Sequence, residues 1–278
     1  MSREENVAVF EDTKRLYETN DRLKDSVNKS VSGQIMIPES EKLAKPVKRF
    51  DDTLVRVSKK RSIEAAMEYR GKRVCVHNFA SATNPGGGVT KGSSAQEECI
   101  CRVSTLYSCL NRQELWDSFY SPHRAAHNPV YNADIIYTPG VTVFKSDTAS
   151  PELLPEDEWM DMDIVTCAAP NLRERPSNAM NPGAGSAPVK LSDKELMDIH
   201  MTRARRILDS AAAHHCDVVI LGAFGCGAFC NDPRVVAEAY RRVIGEYDGV
   251  FDVIEFAVYC TPRDRRNYDA FDKEMDRL

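Results

Sequence analysis

Two short segments that read as buried strands, residues 73–79 and 217–221, stand out in the hydrophobic pattern of the chain. Both are short, and the second is largely β-branched, which is typical of strands buried in a parallel sheet. A glycine-rich turn follows each run, and apolar residues with helical spacing follow each turn. Strand, turn and helix therefore occur twice in the same order, which predicts an α/β fold.

The rest of the pattern predicts further strands, further helices and one long loop. Residues 5–25 have a helical apolar face, and the Ser/Gly segment at 30–33 ends it. Pro, Asn, Gly and Ser residues over 171–189 indicate a loop or lid. We expect an N-terminal helical extension, residues 1–50, packed on a main body, residues 51–278. Further strands are expected at 53–57, 135–137, 163–166 and 253–259, and further helices at 62–69, 193–213 and from Pro233 onward.

The first glycine turn, residues 86–88, precedes a helix that begins with two acidic residues. Glycine tolerates positive φ, so the turn is expected to expose amides that suit a phosphate. Ser93 or Ser94 is a suitable N-cap, which places Glu97 and Glu98 in the first helical turn, where unpaired N–H groups favour anions. The acidic pair is a candidate proton donor, although acids that only cap a helix have the same pattern. The predicted helix has an apolar stripe at Ile100, Val103, Leu106 and Leu110.

The second turn, residues 222–229, also precedes a well-marked helix. Asp232 occupies the N-cap position and Pro233 the first helical position, as helix starts favour. Loops at the carboxyl ends of parallel strands meet at the crevice where open α/β sheets bind ligands. Because both turns suit phosphate, the sequence predicts a nucleotide diphosphate as the ligand.

Two common nucleotide motifs are absent from these turns. A P-loop needs Gly-Lys-Ser/Thr, whereas Lys91 here precedes Gly92. Neither turn gives Gly-x-Gly-x-x-Gly with a suitably placed acidic residue for a ribose. A P-loop nucleotidase and a Rossmann dehydrogenase are therefore both disfavoured.

Four segments form a combined pattern that is more specific than any one of them. They are Asn78-Phe79-Ala80-Ser81, Pro85-Gly86-Gly87-Gly88, Gln96-Glu97-Glu98 and residues 222–229. Together they resemble the microbial-type poly(ADP-ribose) glycohydrolases of the macrodomain superfamily. The resemblance extends over nearly the whole chain, with further similar blocks at residues 9–13, 137–141, 168–171 and 256–258.

The resemblance implies a three-layer α/β/α macrodomain-like sandwich with a mixed central sheet, in which residues 51–278 form the catalytic domain. It implies hydrolysis of the ribose–ribose O-glycosidic bonds of poly(ADP-ribose), with Glu98 as the general acid and base and Glu97 holding ribose hydroxyls. Phe229 is expected to press on the distal ribose, and Tyr259 and Asn267 lie in the expected adenine region. The predicted substrate-binding residues are Asn78, Gly86, Gly87, Gly88, Gln96, Gly225, Cys226, Gly227, Ala228 and Phe229, and those from Gly225 to Ala228 are expected to offer main-chain N–H groups to the diphosphate.

The position of Glu98 raises an electrostatic difficulty. A helix N-terminus lowers the pKa of a carboxyl group, whereas an acid catalyst near neutral pH needs a raised pKa. We expect the charge of the bound diphosphate, with exclusion of water, to restore the protonated form.

Composition limits the remaining function classes. The chain has 278 residues, is 42% hydrophobic and 28% charged, and has a net charge of −5. Proteins that bind nucleic acid generically are usually basic, so such binding is not expected. Because the protein has no general attraction for a polyanion, we expect it to bind one terminal ADP-ribose unit of the polymer. This favours exo-type cleavage, with ADP-ribose as the product. No apolar run approaches membrane-spanning length, so we expect no membrane contact. Nine cysteines without a Cys-x-x-Cys pair indicate reduced thiols, which favours the cytoplasm. We expect neither a metal nor a cofactor.

Two alternatives remain open from the sequence. A hydrolase acting on single ADP-ribose units attached to a protein or nucleic-acid acceptor would use the same phosphate site. A non-catalytic ADP-ribose reader is disfavoured by Gln96-Glu97-Glu98, because binding alone does not need an acid there. Removal of Glu98 separates a reader from an enzyme, since general acid catalysis contributes roughly 10²- to 10⁴-fold.

Overall fold

A seven-stranded mixed sheet forms the centre of the protein in a computed structural model, which describes residues 1–179 and 182–278. The strand order is β1-β4-β5-β3-β6-β7-β2. Neighbours from β5 to β2 run parallel, whereas β4 is antiparallel to both β1 and β5. The strands are β1 (Ile35–Ile37), β2 (Leu54–Ser58), β3 (Val74–Phe79), β4 (Ile135–Val143), β5 (Met160–Cys167), β6 (Val218–Leu221) and β7 (Val253–Ala257).

Helices cover both faces of this sheet, which gives the predicted three layers. Alternate residues of a strand point to opposite faces, and Cys75 packs in one apolar cluster while Val74 and Val76 pack in the other. The described helices are α1 (Arg3–Thr19), α2 (Asp21–Ser32), α3 (Ser62–Met67), α4 (Gln96–Val103), α5 (Leu106–Leu110), α6 (Gln113–Leu115), α7 (Ser121–Ala126), α8 (Asp193–Ala213), α9 (Pro233–Ile244) and α10 (Arg266–Met275).

The strongest sequence patterns are confirmed. The predicted helix 193–213 is α8, and the strands that precede the two glycine turns are β3 and β6. Asp232 caps α9 by accepting a hydrogen bond from the Arg234 amide. The loop predicted at 171–189 contains no helix or strand in its described part, and Met180 and Asn181 lie outside the described residues.

The N-terminal extension differs from the single helix predicted over 5–25. Asn20 separates α1 from α2, and its side chain caps α2 by accepting a hydrogen bond from the Leu23 amide at 3.2 Å. Strand β1 then joins the sheet edge, with Ile35 opposite Tyr137. Residues 1–50 therefore supply part of the central sheet, in addition to helices packed on the body.

The helix that carries the acidic pair is shorter than its apolar stripe predicts. Ala95, with no side-chain capping bond, occupies the N-cap position expected for Ser93 or Ser94. Helix α4 ends at Val103, because the Ser104 hydroxyl donates to the Ile100 carbonyl and accepts from the Leu106 amide. Leu106 and Leu110 belong to the separate helix α5.

The described residues contain no helix that is both long enough and apolar enough to cross a membrane.

Candidate active site

The first glycine turn binds the two carboxylates of α4. The Gly88 amide donates to Oε1 of Glu98 at 2.8 Å, and the Gly86 amide donates to the Glu97 carboxylate. The Gly87 amide donates to the Asn84 carbonyl at 2.9 Å. All three amides of residues 86–88 therefore have acceptors within the protein. The amides of this turn thus hold the acid pair, and the substrate-binding role expected for Gly86, Gly87 and Gly88 stays a prediction.

Gly87 is the residue that allows this close approach. Its φ is +57°, a conformation that L side chains rarely adopt, and a Cβ there would lie 2.5 Å from Oε1 of Glu98 and 3.1 Å from Oε2 of Glu97. The absence of a side chain at Gly87 therefore sets the distance between the turn and the acidic pair.

Glu97 is bound from several sides. Its side chain accepts hydrogen bonds from the Ser81 amide at 2.8 Å and from Nδ2 of Asn78 at 3.2 Å, besides the Gly86 amide. Glu97 is 3% exposed and lines the main cavity. Strand β3 and the first turn thus fix its orientation.

Glu98 is held through only one of its two carboxylate oxygens. Oε1 accepts the Gly88 amide, whereas Oε2 is buried and has no hydrogen-bond partner among the described residues. Glu98 is 7% exposed and lines the same cavity. The oxygen without a partner is therefore the one that can carry a proton.

Burial raises the pKa of both acids. The pKa of Glu97 is raised well above its usual range by loss of hydration, and the neighbouring Glu98 adds to this shift. Loss of hydration also raises the pKa of Glu98, against the hydrogen bond from the Gly88 amide. This shift occurs without a ligand, so the expectation that a bound diphosphate is needed to raise the pKa is not met.

Asn78 and Gln96 bind protein groups. Nδ2 of Asn78 donates to Glu97 and to Oγ1 of Thr166, and the residue is fully buried. Gln96 lines the cavity, but its amide accepts from the Phe79 amide at 2.8 Å and donates to the His77 carbonyl at 2.7 Å and to Oγ of Ser62 at 3.0 Å. These bonds join α4 to β3 and α3, and the substrate-binding role expected for both residues stays a prediction.

The second glycine loop provides free amides. The N–H groups of Gly227, Ala228 and Phe229 have no acceptor in residues 1–179 and 182–278, and all three residues line the cavity with Gly225. Three successive free amides form a ready anion site. Cys226 differs from the expectation, because its side chain is 1% exposed and its amide donates to the Ala223 carbonyl at 3.1 Å.

Asn231 supports this loop, and sequence reasoning missed it. Its amide donates to the Gly225 carbonyl at 3.0 Å, and its Nδ2 donates to the carbonyls of Pro170 at 2.7 Å and Phe229 at 3.0 Å. Oδ1 of Asn231 lies 2.8 Å from Nε2 of the buried His200. An Asn just before a helix looks like an ordinary turn residue, so its sequence carried no signal of this role.

A single cavity of about 1020 Å³ joins the two loops. Phe229 lies half-buried at its wall, and Tyr259 and Asn267 line it, as the sequence suggested. Oδ1 of Asn267 is buried and has no partner among the described residues. The cavity is also lined by residues that sequence reasoning missed: Arg3, Asn6, Arg61, Asp147, Arg173 and Asn178. These residues lie on separate segments, and no local motif marks them.

The sheet order and the covered faces define a macrodomain-like α/β fold, in which the acid pair and the loop with free amides line one cavity. A family model described as the catalytic domain of microbial-type PARG, poly(ADP-ribose) glycohydrolase, matches residues 4–146. The chain belongs to this family and is a glycoside hydrolase. The matched region runs across residue 50, so it includes the helical extension as well as the acid pair.

Solved structures give the same relationship over almost the full length. The poly(ADP-ribose) glycohydrolase of Thermomonospora curvata is 29% identical with a TM-score of 0.81, and the match covers 97% of this chain and 98% of that chain. The Deinococcus radiodurans enzyme, solved in complex with ADP-ribose, is 30% identical with a TM-score of 0.74, covering 91% of this chain and 98% of that chain. A T. curvata structure with the inhibitor ADP-HPD is 28% identical with a TM-score of 0.78, covering 98% and 99%. A comparison with curated protein sequences gave no match.

Proposed function

We propose that the protein hydrolyses the ribose–ribose O-glycosidic bonds of poly(ADP-ribose), with Glu98 as the group that transfers the proton. The observation that carries this role is the state of its carboxyl group. Oε1 is occupied by the Gly88 amide, Oε2 is unpartnered among the described residues, and burial raises the pKa. A neutral Glu98 therefore has its proton on Oε2, beside the cavity.

Glycoside cleavage needs this proton. The transition state resembles an oxocarbenium ion, and the departing oxygen must be protonated as the bond breaks. Oε2 of Glu98 donates its proton to the departing ribose oxygen, and the resulting carboxylate then accepts a proton from the attacking water. The same residue is thus acid and then base, and it ends the cycle protonated.

Glu97 takes the second role at the same wall of the cavity. Three protein donors hold its carboxyl group, which fixes its orientation in either protonation state. We assign it to the hydroxyls of the distal ribose. Held there, the sugar presents its anomeric carbon to Glu98, and such positioning is a large part of rate enhancement in enzymes.

The remaining cavity suits the rest of one ADP-ribose unit. We assign the free amides of Gly227, Ala228 and Phe229 to the diphosphate, because all three residues line the cavity. The ring of Phe229 borders the distal ribose, and Tyr259 and Asn267 are assigned to the adenine end. A volume of about 1020 Å³ holds one such unit. We therefore propose exo-type cleavage that releases free ADP-ribose.

The cysteines favour a reducing compartment, and we place the protein in the cytoplasm. All nine cysteines are free, and all except Cys230 are buried or half-buried. Reduced thiols of this kind are typical of cytosolic proteins.

The test compares the wild type with Glu98→Gln on poly(ADP-ribose) and on a mono-ADP-ribosylated protein, with products identified by mass. We expect the wild type to release ADP-ribose from the polymer and the variant to be slower by roughly 10²- to 10⁴-fold. Glu114→Gln is the matched control, because Glu114 is an exposed glutamate outside the cavity. ADP-ribose binding by calorimetry confirms that Glu98→Gln is folded.

The other outcomes separate the alternatives. Release from the mono-modified protein alone would replace the proposal by a mono-ADP-ribosyl-acceptor hydrolase. Tight ADP-ribose binding without release from either substrate would make the protein a reader. Unchanged turnover by Glu98→Gln would remove Glu98 from the chemistry while leaving the substrate assignment in place.

A further inference from the structure

Arg173 contacts the second glycine loop, which carries the free amides. Arg173 lies in the long loop after β5, and the backbone just before it is anchored. The Leu172 amide donates to the Phe229 carbonyl at 3.0 Å, and the Asn171 amide donates to the Pro129 carbonyl at 2.8 Å. The position of Arg173 relative to the second loop is thus set by main-chain bonds.

Two contacts then orient the guanidinium group itself. Nε of Arg173 donates to the Ala228 carbonyl at 2.5 Å, and its Cζ lies 5.1 Å from the centre of the Phe229 ring. Such a contact over an aromatic face is favourable for a cation. The guanidinium is therefore held by Ala228 and Phe229, two of the three residues with free amides.

The rest of the guanidinium remains available to a ligand. The Nη1 and Nη2 atoms have no hydrogen-bond or ion-pair partner in the described part of the chain, and Arg173 lines the cavity. An arginine carries five N–H donors in a planar fork, so four remain after Nε is used. They belong to a side chain that contacts both Ala228 and Phe229.

The full positive charge of Arg173 distinguishes it from the backbone amides beside it. A diphosphate carries negative charge that backbone amides meet only with partial positive charges. Of the other arginines at the cavity wall, Arg61 lies over the Tyr259 ring with Nη1 3.9 Å from Asp147, and Arg3 belongs to the start of α1. Neither contacts the second loop in the described structure, whereas Arg173 does.

We propose that Arg173 is a further substrate-binding residue, whose guanidinium pairs with the diphosphate of the bound ADP-ribose unit. This inference rests on the proposed function for its ligand, but it concerns binding and does not require turnover. A planar fork matches two phosphate oxygens, a geometry that lysine lacks. The bond to Ala228 and the stacking on Phe229 preorganise the fork, which limits the entropy lost on binding.

The experiment measures ADP-ribose affinity by calorimetry for the wild type, Arg173→Ala, Arg173→Lys and Arg175→Ala. Hydrogen bonds between charged groups contribute enough that Arg173→Ala is expected to weaken binding by about 10- to 100-fold. Arg173→Lys is expected to recover part of this loss because the charge returns without the fork. Arg175→Ala is the matched control, since Arg175 is exposed, lies in the same loop and does not line the cavity.

The salt dependence of binding separates a phosphate contact from mere support of the loop. If Arg173 pairs with phosphate, the slope of log Kd against log salt is smaller in Arg173→Ala than in the wild type, because salt screens the charge–charge contact that the variant lacks. Wild-type affinity in Arg173→Ala, or weaker binding with an unchanged slope and no recovery in Arg173→Lys, would overturn the proposal. Binding of ADP-ribose without hydrolysis of the polymer would refute the proposed function alone, since the affinities still decide the role of Arg173.

Discussion

At the scale of single residues, burial and the helix N-terminus act in opposite directions on the pKa of the acid pair. A helix N-terminus favours a nearby anion by about 0.3–1 kcal/mol, whereas one pKa unit corresponds to about 1.4 kcal/mol and burial can change the pKa of a carboxyl group by several units. The pKa values of Glu97 and Glu98 are accordingly raised although both lie in the first turn of α4.

The raised pKa of Glu98 predicts a pH-dependent stability change in Glu98→Gln. A carboxyl group whose pKa is raised by folding stabilises the native state below its unfolded pKa, near 4.5, and this stability is lost as pH rises through the folded value. Glutamine carries no charge, and its Oε1 can still accept from the Gly88 amide. We expect equal melting temperatures in acid and a higher one for the variant at higher pH. The gap in unfolding free energy should grow by roughly 1.4 kcal/mol for each pH unit between the unfolded and folded pKa values.

Thermal unfolding of both proteins across this pH range checks the prediction. Glu114→Gln, at an exposed position, should follow the wild type at every pH. A difference between Glu98→Gln and the wild type that is constant with pH would contradict the assignment of a buried carboxyl group with a raised pKa.

A second prediction at this scale concerns Gly87. Gly87→Ala places a Cβ 2.5 Å from Oε1 of Glu98, in a backbone conformation with φ of +57°. We expect the acid pair to be displaced and activity to fall by about 10²-fold or more, since small misplacements have such effects in active sites. Polymer hydrolysis measures the effect.

Gly71→Ala is the matched control for Gly87→Ala. Gly71 also has a positive φ, of +91°, but nothing lies within 4 Å of its Cβ position. It carries the backbone strain without the contact and should lose about 1 kcal/mol of stability with normal activity. Equal activity loss in both variants would mean that strain, and not contact with the acids, matters at Gly87.

At the scale of elements, helix α1 holds the segment that leads into α4. Nδ2 of Asn6 donates to the buried Gly92 carbonyl at 3.0 Å, and Oγ1 of Thr13 donates to the Arg102 carbonyl at 2.6 Å. A Cβ on Gly92 would overlap the backbone of Arg3. The N-terminal helix therefore contacts both ends of the catalytic helix.

Asn6→Ala tests this coupling. It leaves the buried Gly92 carbonyl without its donor, which costs about 1–3 kcal/mol of unfolding free energy. Because the segment 92–95 loses an anchor, we expect kcat to fall more than KM rises. Denaturant unfolding and steady-state hydrolysis measure the two effects, with Asn28→Ala as control because Asn28 is exposed on α2. A stability loss without change in kcat would show that α1 supports the fold alone.

The sequence predicted elements whose signals are local and missed those set by tertiary contacts. Helix α8 and the start of α9 follow from periodicity and capping residues. The short strand β1 has only three residues and is defined by its pairing with β4. Both glycine turns were visible in the sequence. Whether their amides face the cavity or a carboxylate depends on the folded structure, and among the described residues only the second turn leaves successive amides free. Arg173 carries no local pattern at all.

At the scale of the whole molecule, a net charge of −5 excludes strong general attraction for a polyanion. We therefore expect binding to depend on local groups, for which we propose the amides of residues 227–229 and the guanidinium of Arg173. Both lie in one cavity of about 1020 Å³. We propose that these local groups hold one unit of the substrate although the protein carries a net negative charge.

This reasoning predicts how cleavage depends on salt and polymer length. Each arginine–phosphate pair contributes about 0.7 to the salt slope of binding to a single-stranded polyanion, whereas backbone amides release no counterions. One bound unit with one such pair gives a slope of log KM against log salt of about 0.7, the same for short and long polymers. The early product from long polymer should be free ADP-ribose. Polymers fractionated by length, assayed at several salt concentrations with products sized by mass, measure both quantities. A slope that increases with polymer length, or early release of oligomers, would show that the protein contacts several units and cuts within the chain.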